Sequence, residues 1–118
     1  MNPTKKQIAE AFSGGQFEFA YPYLADDIQW NIVGDKILKG KDAIIKFCDQ
    51  TAKYFSEVTT KFTMSNLVVG DNCVAIDGTA EFINKENKSS KVFSCDVYCF
   101  ENGKLKEVTS YCITTSNK

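Results

Sequence analysis

The sequence predicts an α+β fold in which three N-terminal helices pack on one face of a curved antiparallel sheet. In the first half of the chain, up to about residue 55, apolar residues recur mainly at helical spacing. From residue 58 onward they alternate with polar residues, as in strands with one buried face. The 118 residues, of which 43% are hydrophobic, suit a single domain covering residues 1–118.

Three segments predict the helices. Residues 3–13, PTKKQIAEAFS, form an amphipathic pattern that a Gly-Gly pair ends. Residues 16–24, QFEFAYPYL, are aromatic-rich and predict a second, shorter helix, whose end Pro22 leaves open because proline disrupts a helix interior. Residues 41–55 place their apolar side chains on one helical face and predict a third helix.

Five segments predict strands. Residues 25–34 alternate Ile28, Trp30 and Ile32 with polar residues, which indicates a short strand between the second and third helices. The other four strands form a meander, because the segments GDN, NKENKSS and ENG that separate them are turn signals. These four strands are predicted over residues 58–69, 73–83, 92–100 and 105–113.

The composition argues against several functional classes. The chain has no His and no Arg, which excludes Ser-His-Asp and Cys-His nucleophile systems, histidine metal sites and Arg clamps on anions. The net charge of −1 and the scattered lysines argue against a nucleic-acid partner. The apolar runs are too short to span a membrane, and no secretory pattern opens the sequence.

The cysteines predict neither a disulfide framework nor a metal site. They are five in number and form no C-x-x-C pair, which favours free thiols in a reduced, cytoplasmic setting. On a strand, Cys95 and Cys99 lie ~13 Å apart at ~3.3 Å per residue, too far to share one zinc ion. They also point to the face opposite Asp96. We therefore expect no metal and no cofactor.

Four pieces of the sequence carry a family resemblance. They are FSGGQF at 12–17, LADDIQWNIVG at 24–34, GKDAIIKF at 40–47 and DVYCFENGKL at 96–105. Their order and spacing resemble the nuclear transport factor 2-like (NTF2-like) superfamily, which includes SnoaL-like polyketide cyclases and ketosteroid isomerases. The resemblance implies a cone-shaped α+β barrel with a pocket between the concave face of the sheet and the helices. It also implies a homodimer through the sheet, whose convex side would carry Val97, Cys99 and Thr109.

Asp96 is the main candidate for chemistry. Strand alternation puts it on one face with Tyr98 and Phe100, where an aromatic environment favours a raised carboxyl pKa. The resemblance places Asp96 where ketosteroid isomerases keep a protonated Asp that donates to an oxyanion. Tyr98 is a second donor on that face. Three roles for Asp96 stay open: proton transfer, anchoring of a ligand, and a purely structural role.

The partner groups of known relatives are missing from the sequence. The general base of the isomerases would fall near Asn31 or Ile32, and their oxyanion tyrosine near Ile8, so neither function has a suitable side chain. Epoxide hydrolases of the superfamily need an Arg-Asp arrangement, and the chain has no Arg. A cyclase-type reaction needs only one acid–base carboxylate in a shaped pocket, which Asp96 alone could supply.

The partner of Asp96 in the last hairpin depends on the turn. A three-residue loop, ENG, would place Asp96 opposite Val108, whereas a two-residue turn, NG, would place it opposite Thr109. The family pattern favours the first alternative, with Val108, Ser110 and Cys112 pointing inward. Parity along the second meander strand puts five residues inward, namely Val74, Ile76, Gly78, Ala80 and Phe82.

These residues predict a pocket for a small apolar, cyclic molecule. The expected ligand-binding residues are Phe12, Trp30, Phe47, Tyr54, Phe62, Phe82, Val108 and Ser110. The predicted function is binding of such a metabolite and its isomerisation or cyclisation, with Asp96 and Tyr98 as the acid–base or oxyanion groups. The alternative is a non-catalytic ligand-binding or dimerisation module of the same fold.

Overall fold

The computed structural model describes residues 3–116, so Met1, Asn2, Asn117 and Lys118 lie outside it. It confirms the α+β class. A 3₁₀ turn over Tyr21–Tyr23 joins the second helix to the first strand. The helices are α1 (Lys5–Ser13), α2 (Phe17–Ala20) and α3 (Lys41–Glu57). The strands are β1 (Leu24–Ile32), β2 (Lys36–Lys39), β3 (Thr59–Val69), β4 (Cys73–Ile83), β5 (Ser89–Glu101) and β6 (Lys104–Ser116).

Helix α1 begins and ends at capping residues that the sequence supplies. The Thr4 hydroxyl accepts a hydrogen bond from the backbone N–H of Gln7, and the Gln7 side chain accepts one from the backbone N–H of Thr4, which forms a capping box. At the other end the N–H of Gly14 donates to the carbonyl of Glu10. The apolar face of α1, including Ile8 and Phe12, is buried against the sheet.

The six strands form one sheet in the order β2-β1-β6-β5-β4-β3. All neighbours are antiparallel except β1 and β6, which lie parallel. The sequence did not predict β2, because its four residues contain only two apolar side chains and no recognisable alternation. The helices cover one face of the curved sheet, as in the NTF2-like cone.

The β5–β6 hairpin differs from both predicted registers. Asn102 and Gly103, with φ of 53° and 78°, form the two-residue turn, and a bulge follows at Lys106. Compared with a three-residue loop, the two-residue turn shifts the pairing by one residue, and the bulge shifts it by one more. Asp96 therefore lies opposite Ser110 rather than Val108 or Thr109. Because the two shifts together preserve parity, Val108 and Ser110 are buried on the concave face as expected, with 1% and 3% exposure. Cys112, opposite Ser94 on that face, is exposed.

The pairing of β3 with β4 is irregular near the middle of the two strands. The β3 register shifts between Met64 and Asn66, and the β3 backbone there comes very close to Gly78. A side chain at Gly78 would overlap the carbonyl oxygen of Thr63, so only glycine allows this approach.

The prediction that the cysteines are all free is wrong for two of them. Cys73 and Cys99 form a disulfide across β4 and β5, with their Cα atoms 4.1 Å apart. They are 26 residues apart in sequence, so the spacing gives no sign of a pair that strand register brings directly opposite. Within residues 3–116, Cys48, Cys95 and Cys112 are free thiols. Disulfides are typical of oxidising compartments, so this bond opposes the predicted cytoplasmic location, which stays a prediction.

Two further properties concern the described residues. No helix within 3–116 is long and apolar enough to cross a membrane. The same residues contain no group of three or more Cys, Asp or Glu side chains arranged to hold a metal ion.

Candidate active site

Asp96 lies on the concave face near the middle of β5. Its neighbours across the sheet are Ser110 of β6 and Ile76 of β4, and Ser94 and Tyr98 flank it along its own strand. Burial raises the pKa of the Asp96 carboxyl, and a hydrogen bond from the Ser110 hydroxyl partly opposes that shift. The net shift is upward, so the fold favours the neutral acid relative to an exposed aspartate.

A hydrogen bond joins strand β1 to the residue opposite Asp96. Trp30 Nε1 donates to Ser110 Oγ at 2.8 Å, and Ser110 is the side chain that partly opposes the upward shift of the Asp96 pKa. The parallel pairing of β1 with β6 puts Trp30 in register with Val108 and so brings its indole beside Ser110. The indole thereby fixes the Ser110 hydroxyl in the orientation that serves Asp96.

Tyr98 is a buried neutral phenol next to Asp96. Its side chain is 1% exposed, and burial together with the charge of Asp96 raises its pKa well above the usual value for tyrosine. The Ser13 hydroxyl, at the end of α1, lies close to the phenol and partly opposes this shift. Sequence reasoning missed Ser13, because a serine before Gly-Gly is equally typical of a helix end.

The predicted aromatic residues divide into two clusters. The first lies beside Asp96, where the Phe12 ring contacts Trp30 at 5.1 Å and Tyr98 at 5.8 Å between centroids, and Trp30 contacts Phe47 at 5.3 Å. Phe12 and Val108 of the predicted set are buried core residues. These edge-to-face contacts exclude water from the deep side of Asp96.

The second cluster lies towards the open end of the sheet and centres on Phe55, which sequence reasoning did not place in the pocket. Its ring stacks on Phe82 at 5.4 Å and meets Phe62 edge-on at 5.4 Å. Tyr54 contacts Phe82 at 5.8 Å but is 49% exposed. The helical pattern of α3 contained this signal, since position 55 belongs to its apolar face and position 54 does not.

An open cleft of about 210 Å³ lies between α1 and strands β3–β5. Its lining includes Glu10, Ser13, Phe62, Ile76, Gly78 and Ser94. Two of these residues are neighbours of Asp96: Ile76 lies opposite it on β4, and Ser94 precedes it on the same face of β5. Of the eight predicted ligand-binding residues, Phe62 lines this cleft. Trp30 and Ser110 lie nearer Asp96 and are joined to each other by a hydrogen bond.

The family model for the SnoaL-like domain matches residues 6–108. The chain belongs to the SnoaL-like domain family. An NTF2-like protein of unknown function from Cytophaga hutchinsonii is 36% identical, and the match covers 91% of this chain and 94% of that chain with a TM-score of 0.83. No curated protein matches the sequence.

Two more distant structures share the fold of this SnoaL-like domain. An LEH-like epoxide hydrolase from M. tuberculosis is 16% identical over 92% of this chain and 81% of that chain, with a TM-score of 0.70. A protein with a ketosteroid isomerase-like fold from Catenulispora acidiphila, in complex with trimethylamine, is 12% identical over 92% and 86%, also with a TM-score of 0.70. At these identities the likeness concerns the fold alone.

The structure also locates the positions where isomerases carry their other groups. Ile32 pairs with Ser110 in the sheet, Asn31 is exposed on the adjoining position, and Ile8 is buried in the core. None of these side chains can take up a proton or act as a phenol. At these positions the SnoaL-like domain therefore lacks the base and the tyrosine that the resemblance to isomerases implies.

Proposed function

We propose that this SnoaL-like domain binds a small apolar, cyclic molecule bearing an acceptor oxygen, and isomerises or cyclises it with Asp96 as the acid–base or oxyanion group. The observation that carries the proposal is the position of Asp96 on the concave face, between Ser110, which accepts a hydrogen bond from Trp30, and Ile76, which lines the cleft. A carboxyl group held and oriented in this way is equipped to interact with a ligand rather than with bulk water.

The proposed role of Asp96 uses the neutral form of its carboxyl group, which burial favours. A neutral carboxyl donates its O–H to a ligand oxygen, and that hydrogen bond strengthens as negative charge develops there during enolisation. The Ser110 hydroxyl occupies an acceptor position on Asp96, which leaves the carboxyl proton for the ligand. Tyr98, fixed by Ser13, is the second donor on the same face.

Binding can be tested through the only tryptophan of the chain. In ¹⁵N-labelled protein, Trp30 gives a single indole N–H resonance that reports its bond to Ser110. Cyclohexanone should shift this resonance saturably. Asp96→Leu should weaken binding about tenfold through loss of the hydrogen bond, whereas Asp96→Asn keeps an N–H donor and should bind within about threefold of wild type.

Two results would contradict the binding proposal. One is an indole resonance that cyclohexanone leaves in place in the wild-type protein. The other is an Asp96→Leu variant that binds the ketone as tightly as wild type, since Asp96 would then make no contact with the oxygen.

A non-catalytic ligand-binding module is the second candidate, because the positions of the isomerase base hold Asn31 and Ile32. The Asp96→Asn variant distinguishes the catalytic candidate from the non-catalytic one. If Asp96 transfers protons, the variant folds and binds normally but loses turnover. If the protein only binds, no turnover is detectable in wild type and the variant changes nothing but affinity.

A further inference from the structure

A carboxylate that no isomerase position predicts lies at the cleft beside Asp96. Glu10 projects from α1 into the cleft lining, together with Ser13 one turn later on the same helix. Residues three apart on a helix share a face, so Glu10 and Ser13 are directed towards the same part of the sheet.

The contacts of Ser13 show where that face points. The Ser13 hydroxyl reaches the Tyr98 phenol, whose neighbour along β5 is Asp96. Glu10 is one helical turn nearer the N-terminus and lines the same cleft as Ile76 and Ser94, which are neighbours of Asp96. A ligand in the cleft therefore contacts Glu10 and the residues that flank Asp96.

The surroundings of Glu10 leave its carboxylate available to a ligand. Its ion pair with Lys6 is 3.9 Å long, and the two side chains are 39% and 56% exposed. Such a solvated pair contributes little and costs little to disrupt. Asp96, by contrast, is partly buried and bonded to Ser110, so the two carboxyl groups lie in different environments.

We propose that Glu10 is the general base of the site, a role that rests on the proposed acid–base function of Asp96. The Glu10 carboxylate takes the proton from the carbon next to the ligand carbonyl. The C–H electron pair then forms the carbon–carbon double bond of an enolate, whose oxygen is held by the Asp96 O–H. In a ligand with a second double bond next to that carbon, Glu10 returns the proton to the far carbon of that double bond. The double bond moves into conjugation with the carbonyl, and Glu10 and Asp96 regain their starting forms.

Different environments suit the two carboxyl groups to these opposite tasks. A general base has to be reachable by the ligand, which a partly exposed helix residue is, whereas an oxyanion donor has to keep its proton, which burial favours. Glu10 of α1 thus supplies the general base that β1 lacks.

The test uses cyclohex-3-enone in D₂O and follows deuterium entry at the carbon between the carbonyl and the double bond by ¹H NMR. Wild-type protein should catalyse this exchange, and Glu10→Gln should lower the saturating rate about 100-fold. Affinity, from the Trp30 indole shift, should stay within about twofold of wild type. Glu10→Asp should keep part of the activity, and Glu18→Gln, an exposed glutamate of α2, should keep all of it.

The outcomes separate this inference from the function on which it rests. Exchange that Asp96→Asn abolishes but Glu10→Gln leaves intact overturns the role of Glu10 alone. Loss of binding or of thermal stability in Glu10→Gln overturns it as well, because the residue would then be structural. Wild-type protein that gives no exchange above buffer overturns the catalytic function and the Glu10 assignment together.

Discussion

At Asp96 two forces act on one carboxyl group. Burial among Phe12, Trp30 and Tyr98 favours the neutral form, while the Ser110 hydroxyl favours the charged form, and burial has the larger effect. The folded protein therefore holds the Asp96 proton to a higher pH than the unfolded chain does, for which the carboxyl pKa is about 3.9. This difference makes stability depend on pH.

We expect Asp96 to destabilise the fold as pH rises. Between the unfolded pKa and the raised folded pKa, the native state binds more protons than the unfolded state, so the free energy of unfolding falls through this window and is level above it. Urea denaturation of wild type and Asp96→Asn at a series of pH values isolates this contribution. The variant should gain stability relative to wild type as pH rises, and parallel pH profiles would contradict the buried neutral acid.

Strand parity alone located Asp96 and Tyr98 from the sequence, because every second residue of β5 has to face the helices. It could not locate Glu10 or Ser13. An amphipathic pattern identifies the buried stripe of α1, here Ile8 and Phe12, but the residues at its margin reach the sheet or the solvent according to how the helix is rotated. That rotation is set by packing against β4 and β5.

Among the elements, the β3–β4 crossing shapes the cleft. Gly78 permits the close approach of the β3 backbone at Thr63, and it also forms part of the cleft floor. Gly78→Ala should destabilise the protein by about 1–3 kcal/mol, since the added methyl group forces two backbones apart. Thermal or urea unfolding measures the loss. Gly70→Ala is the matched control, because its methyl group would lie 3.3 Å from the nearest atom, and an equal loss there would contradict the explanation.

The helices and the long strands were predictable because each carries several periods of its own pattern. The register of the β5–β6 hairpin was not predictable, because it depends on both the turn length and the bulge at Lys106. Neither of these has a unique sequence signature. The Cys73–Cys99 bond depends on the same kind of information, namely the register between two strands. Local periodicity therefore predicted the elements, and their mutual alignment had to come from the structure.

At the scale of the whole molecule, the convex side of the sheet exposes apolar residues around a groove of about 400 Å³. Phe93, Tyr111 and Ile113 line it and are 44%, 52% and 67% exposed. Phe93 pairs with Ile113 across β5 and β6, so the patch is continuous with the predicted dimer face at Val97. We propose that a second copy of the chain covers this face.

The dimer proposal predicts a change in mass on a single substitution. Ile113→Lys should convert a dimer into a monomer, because an ammonium group cannot be buried unpaired in an apolar interface. Light scattering after gel filtration gives the mass. Phe19→Lys, at an exposed phenylalanine of α2 away from the sheet's convex side, should stay dimeric. A monomeric wild type at micromolar concentration would contradict the proposal.

The parallel contact between β1 and β6 has a kinetic consequence. The hydrogen bond from Trp30 to Ser110 closes a loop of 80 residues, so the Asp96 end of the cone can be completed only after nearly the whole described chain has been synthesised. Contacts at such sequence separation slow folding, because the entropy of loop closure is lost before any stabilising contact forms. During translation, β1 therefore lacks its β6 neighbour until β6 leaves the ribosome.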